Sequence, residues 1–368
     1  MIKLKKILCA ALCLLVLFAA GCKTNDTSGV VEPIGRLALI TTALELETDY
    51  NYADVWEGIV DCATTNSIDY GYYRPSEMTE ADIEEQFDCA AKEGATVIVC
   101  MGDVFGPTIA KMQAKYPEVK FIAIDVSPSS IGELKTNTHC VMFRQEQGGY
   151  LAGYGAVKDG FTKLAYMGDH ESESYFGYAC GFVQGANDAA VEAKKKIEIK
   201  LGYISDFESK DAAAEACKKW YEEGTEILML CADDEFAQKC AEHAVANVSY
   251  LIGTNNDQSY LGANFDYNPF MTSAMKGLRE GVDATLEKVL AGAWAESLGG
   301  KIQYFGLENG NYIYMPEYAE LWLFKDFSLE AYGKLKDSIA AGTIAVNANA
   351  LPDYNAEFVT VDFSVHEK

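Results

Sequence analysis

The chain has 368 residues, 49% of them hydrophobic, and a formal charge of −25. That length and apolar content exclude a disordered polyelectrolyte and call for about two folded domains. A surface this acidic repels phosphate backbones and anionic head groups, which excludes a nucleic-acid partner.

The first residues carry Lys3, Lys5 and Lys6, then an apolar run from Ile7 to Ala20, then Gly21 and Cys22. The run is short for a membrane span, and its order of basic, apolar and small residues predicts an export signal over 1–21. The string LFAAGC (17–22) resembles a bacterial lipobox, which implies cleavage before Cys22 and a lipid on its thiol. A plain signal peptide or a buried N-terminal helix is the alternative. Residues 22–33 are polar, end at Pro33 and read as a flexible tether. Residues 1–21 hold three lysines and no acid, so their removal takes the charge to −28. The mature protein is therefore expected outside the cytoplasmic membrane, and two acyl chains there would anchor it stably. Of the eleven cysteines, eight lie beyond Cys22, and no two of these have C-x-x-C spacing. They are expected to be mostly buried free thiols, with a disulfide framework as the alternative.

After the tether, RLALITTA (36–43) is a β-type run and YADVWEGIVDCATTN (52–66) carries apolar residues at helical spacing. SIDYGYYR (67–74) alternates like a strand, and TEADIEEQFDCAAKEG (79–94) has a Thr cap, early acids and a glycine stop. ATVIVCMG (95–102) is a strand, PTIAKMQAKYP (107–117) a helix and VKFIAIDV (119–126) a strand. The same alternation returns with strands at 163–169, 196–204, 225–232 and 249–255 and helices at 175–193, 209–224 and 234–247. Residues 268–292 read as one long helix ending at Gly292. Two successive βα arrays predict an α/β protein with two Rossmann-like lobes, each built on a parallel sheet.

Ligands of open α/β sheets bind beyond the carboxyl ends of the strands. Polar residues stand at such ends here: Asp103, Asp125, Asp169, the pair Asp233 and Asp234, and the run Asn255, Asn256, Asp257 and Gln258. Each acid could simply cap a helix, but five such strand ends point to a common cleft. There is no G-x-S-x-G, no phosphate-binding loop, no H-E-x-x-H and no G-x-G-x-x-G. The four histidines, 139, 170, 243 and 366, lack metal-ligand spacing, so no metal, cofactor or catalytic group is expected.

VWEGI (55–59), GATVIVCMGDVF (94–105), FRQEQGGYLAGYGA (143–156), IGTNNDQ (252–258), TSAMKGLREGVDATLEKVLAG (272–292) and YFGLENGNYIY (304–314) occur in this order behind the lipobox. Together they resemble the basic membrane protein (BMP/Med/PnrA-like) family over nearly the whole mature chain. The resemblance implies the type I periplasmic-binding-protein fold, with two lobes, a multi-strand hinge and a ligand closed in the cleft. It also implies the substrate-binding component of an ABC importer, with an ABC permease as partner. The small-molecule ligand would be a nucleoside of purine type or a related sugar-like solute. A monomer is expected. Alternatives are a surface lipoprotein for ligand sensing or, further off, a cleft hydrolase.

The family's ribose contacts fall on Asp125, Asn255 and Lys276. Its first-loop segment corresponds to Asp49, Tyr50, Asn51 and Tyr52 in altered register, and the tyrosines could stack on a base or sugar. Asp233 and Asp234 stand where the family has glycines, and Met229 is the nearest candidate for its strand aromatic. These added acids favour a hydroxyl-rich or amine-bearing ligand. With Asp103 and Asp257 they complete the expected ligand-binding set. The lobes are expected to comprise 34–142 with 259–300, and 143–258 with 301–368.

Overall fold

The computed structural model describes residues 33–46, 49–170, 173–319 and 321–363. The expected signal, Cys22 and the tether up to residue 32 lie outside them.

The chain begins β1 (Arg36–Ile40), α1 (Tyr50–Asn66), β2 (Asp69–Tyr73), α2 (Glu80–Lys92), β3 (Val97–Met101), α3 (Gly106–Lys115), β4 (Lys120–Ile124), the short α4 (Pro128–Ile131) and β5 (Thr138–Phe143). It continues α5 (Gln145–Lys158), β6 (Lys163–Gly168), α6 (Glu173–Ala193), β7 (Ile197–Tyr203), α7 (Lys210–Glu222), β8 (Ile227–Cys231), α8 (Asp234–Ala246), β9 (Tyr250–Asn255) and β10 (Phe270–Lys276). It ends α9 (Leu278–Leu290), β11 (Lys301–Phe305), β12 (Ile313–Tyr314), α10 (Leu329–Ala340) and β13 (Val359–Asp362).

Local chemistry sets the helix starts. Thr79 accepts from the Asp82 N–H at 3.2 Å, and Ser209, Asp233 and Ser328 cap α7, α8 and α10 in the same way. The central strands β3 (VIVCM) and β8 (ILMLC) are buried along their whole length, as parallel strands covered on both faces must be.

Two sheets result, in the orders β11-β5-β4-β3-β1-β2 and β12-β10-β9-β8-β6-β7-β13. Apart from the antiparallel β12, the pairs are parallel. Within each, the orders β2-β1-β3-β4-β5 and β7-β6-β8-β9-β10 repeat one doubly wound topology. Its switch points fall between β1 and β3 and between β6 and β8, which is where such sheets hold ligands.

Two expectations fail. Residues 268–292 are not one helix: β10 fills 270–276, and α9 starts only after Gly277. FMTSAMK is almost wholly buried, and its place beside β9 outweighs the helical spacing that Met271, Ala274 and Met275 suggest. The lobe boundaries move with it. Residues 259–276 stay with the second sheet, whereas β11, expected in the second lobe, pairs with β5 of the first. The chain crosses between lobes at Arg144, at Gly277 and over 306–312.

One large apolar cluster runs through both lobes, and a smaller one covers the far face of each sheet. The helices α5 and α6 pack at unusually close range because of glycine. A Cβ on Gly149 would stand 2.2 Å from Tyr178 O, and one on Gly181 only 1.8 Å from Glu146 O. The glycines of EQGGYLAG thus seat α6 and with it Tyr178. Among the described residues eight cysteines are free thiols, six of them buried, as the sequence suggests.

Candidate functional site

The carboxyl ends of the two sheets face each other across a cleft of about 540 Å3. From the first lobe come Thr42 after β1, Asp103 after β3 and Asp125 after β4, with Asn51 and Tyr52 from the first turn of α1. Asp169 and His170 after β6, Tyr175 and Tyr178 of α6, Asn255 of β9 and Lys276 of β10 come from the second. The switch points of both sheets therefore contribute directly.

The centre of the cleft is an ion pair between lobes. Lys276 Nζ donates to Asp125 Oδ2 at 2.7 Å, with the two side chains only 4% and 15% exposed. Lys276 also lies 5.6 Å from the centre of the Tyr178 ring, on its face. The second oxygen, Asp125 Oδ1, is buried without a hydrogen-bond partner. A half-satisfied buried carboxylate is costly on its own and suits a ligand that donates, such as a hydroxyl.

Two of the strand ends that border the cleft are strained. Asp125 has φ +49° and Asn255 φ +68°, left-handed values that aim side chains where an extended residue would not. Asn255 Oδ1 accepts from the Tyr178 hydroxyl at 3.4 Å, and the same hydroxyl is 3.2 Å from Ala274 O.

Other lining groups are positioned by the first lobe. Asp103 Oδ1 accepts the Ser127 N–H at 2.5 Å. Tyr52 is buried, its hydroxyl donating to Met101 O at 2.8 Å and accepting from Thr42 at 3.0 Å. In the second lobe His170 Nδ1 lies 3.0 Å from Asp169 Oδ2, and its ring meets Tyr175 edge-on at 4.9 Å. Burial pushes the Tyr175 phenol up, and Asp169, Asp125 and Asp103 add to the rise, so it stays a neutral donor.

Of the residues expected from the sequence, Asn51, Tyr52, Asp103, Asp125, Asn255 and Lys276 meet in this cleft. Tyr50, Asp233 and Asp234 do not line it. They border a smaller chamber next to it, of about 310 Å3, which shares Asn51 and Asn255 with the cleft. Tyr50 packs on Tyr260 with ring centres 4.5 Å apart, so its near face is not offered to a base. Asp233 caps α8 through the Phe236 N–H at 2.9 Å and pairs with Lys210. Asp257 lines neither space. Its Oδ1 accepts the Ser259 N–H at 3.0 Å, and it borders a groove with Met275 and Tyr314. Met229 is fully buried in β8, away from the cleft, because side chains at that register point into the core.

Tyr175, Tyr178 and His170 were missed in the sequence. Tyr178 repeats with Gly177 and Gly181 inside an apolar helix and looks like core; only the glycine-mediated approach of α5 brings its hydroxyl to the cleft. Among the described residues no three His, Cys, Asp or Glu are grouped to hold a metal, and no helix is long and apolar enough to cross a membrane.

A family model described as "ABC transporter substrate-binding protein PnrA-like" matches residues 49–349. Basic membrane protein B of Borreliella burgdorferi is 25% identical over 276 residues, covering 69% of this chain and 77% of that protein. Basic membrane protein A2 of Borrelia garinii subsp. bavariensis is 29% identical over 220 residues, 59% of this chain and 62% of that one, so the match spans less than two thirds of its length. An ABC transporter system solute-binding protein from Conexibacter woesei superposes with a TM-score of 0.66 at 19% identity, over 85% of this chain and 99% of that one. A likeness at that identity speaks to the fold.

Proposed function

The chain belongs to the PnrA-like family of ABC transporter substrate-binding proteins, and from that premise we propose that it binds a nucleoside-like solute in the cleft and passes it to an ABC permease. The observation that carries the ligand class is the buried Asp125–Lys276 pair with one carboxylate oxygen left without a partner. Neighbouring hydroxyls of a ribose would donate to Asp125 and Asn255 and accept from Lys276. The lining is rich in tyrosine and the cleft volume of about 540 Å3 suits a ligand of nucleoside size. Closure on the ligand needs no chemistry. A solute that touches both lobes favours the state in which they are together.

Calorimetry with adenosine, inosine, guanosine, ribose and free adenine tests this. The nucleosides should bind, ribose more weakly, and Asp125→Asn should weaken nucleoside binding by at least roughly tenfold, the worth of a charge-assisted hydrogen bond. If no nucleoside binds at millimolar concentration, the ligand class is wrong.

The lipobox at Cys22 supports an extracytoplasmic protein held to the membrane by lipid. Cys22→Ser should move the protein from the membrane to the soluble fraction on cell fractionation. Retention in the membrane would remove the anchor.

A further inference from the structure

The smaller chamber beside the cleft has a different chemistry. Asp49, Asp233 and Asp234 border it, and among the described residues no basic side chain lines it. Asp233 is committed to the α8 cap and to Lys210. Asp234 is not committed to a cation: its oxygens accept from the Gln258 amide at 3.1 Å and from the Tyr260 hydroxyl, both neutral donors. Asp49 caps α1 through the Tyr52 N–H at 3.2 Å. Burial pushes its carboxyl up, and the charge of Asp234 adds to the rise against that N–H.

The second observation is independent of the acids. Asn256 is only 8% exposed and lines the same chamber. Its Nδ2 donates to Asn51 Oδ1 at 3.2 Å, while its buried Oδ1 has no hydrogen-bond partner. The wall of the chamber therefore holds an unpartnered buried amide oxygen beside two carboxylates, Asp49 and Asp234, that have no cation partner among the described residues. Phosphate or carboxylate groups are repelled there. An ammonium, with three donors and a positive charge, satisfies both features at once.

Resting on the reading of the main cleft as a nucleoside-like site, we infer that this chamber is a subsite for a protonated amine at the end of the ligand remote from its hydroxyls, so that the substrate class is an aminated, cationic nucleoside-like solute. Asn51 and Asn255, which border both spaces, form the wall along which such a ligand lies. About 310 Å3 leaves room for a short aminoalkyl arm.

The test compares N6-(2-aminoethyl)adenosine, its neutral counterpart N6-propyladenosine, and adenosine, by calorimetry at low salt near neutral pH. The aminated probe should bind at least roughly tenfold more tightly than the propyl probe, as a charge-assisted contact requires, and the gap should shrink as salt rises. In Asp49→Asn with Asp234→Asn the ratio of the two affinities should fall to about one, read within the variant so that any general loss of affinity cancels. If wild-type protein binds adenosine but shows no preference for the amine, the subsite inference fails and the nucleoside reading survives. If none of the three binds, both fail together. Calcium chloride titrated alone gives the remaining outcome. Micromolar binding that the double variant abolishes would make the chamber a cation site and overturn the inference.

Discussion

Among the described residues, charge joins the lobes at the crossings and in the cleft, and the two places differ in completeness. At the crossings, Arg144 pairs with Glu308, Gln147 Nε2 donates to Glu308 Oε2 at 2.9 Å, and Gln147 Oε1 accepts the Leu307 N–H at 2.8 Å. Both oxygens of Glu308 are used, and Arg144 and Glu308 are 40% and 36% exposed. In the cleft, Lys276 and Asp125 are far more buried, and one oxygen is left over. A hinge wants its hydrogen bonds closed whatever the ligand does. A binding site wants one open.

The sharpest way to break this comparison is to remove the cation from each place. Lys276→Met leaves Asp125 as a mostly buried carboxylate with no countercharge, a loss of about 3–5 kcal/mol of stability. Arg144→Met at the exposed hinge pair should cost about 1 kcal/mol or less. Urea unfolding of the ligand-free proteins measures both. Equal losses would mean that the Lys276–Asp125 pair is solvated like any surface pair, and the site would lose its distinguishing feature.

Much of this arrangement was legible in the chain. Asp125 and Asn255 stood out because each follows an apolar run of strand length, and strand ends gather in one place whatever the details of packing. The status of the groups was not legible. Asp233 and Asp234 are neighbours in sequence and border the same chamber, yet Asp233 caps a helix and pairs with Lys210 while Asp234 meets only the neutral donors Gln258 and Tyr260. The strand β10 was hidden for a related reason. Its residues satisfy helical spacing too, and what decides is the vacancy beside β9, a tertiary fact. The lobe boundaries depend on that strand, so they shifted with it.

A smaller effect probes the hinge side. Glu146 is buried just inside α5, its carboxylate 3.5 Å from Arg144 Nη1. Burial pushes its carboxyl up to about 7, the nearby Glu308 charge adds to the rise, and Arg144 opposes it without winning. An unfolded chain releases this proton near the ordinary glutamate value of about 4.3. Between that value and about 7 the folded protein holds more protons than the unfolded one, so Glu146 removes stability as pH rises through the window. His139 acts with the opposite sign. Burial lowers it to about 4, so its contribution is lost as pH falls below the ordinary histidine value. The wild-type profile mixes the two, and the informative quantity is the difference between wild type and Glu146→Gln. That difference should be small at about pH 4.5 and grow to at most about 4 kcal/mol in favour of the variant by about pH 8. Denaturant melts across this range measure it. A difference that stays flat would place an ordinary, solvated carboxylate at the hinge, and the contrast between a closed hinge and an open cleft would no longer hold.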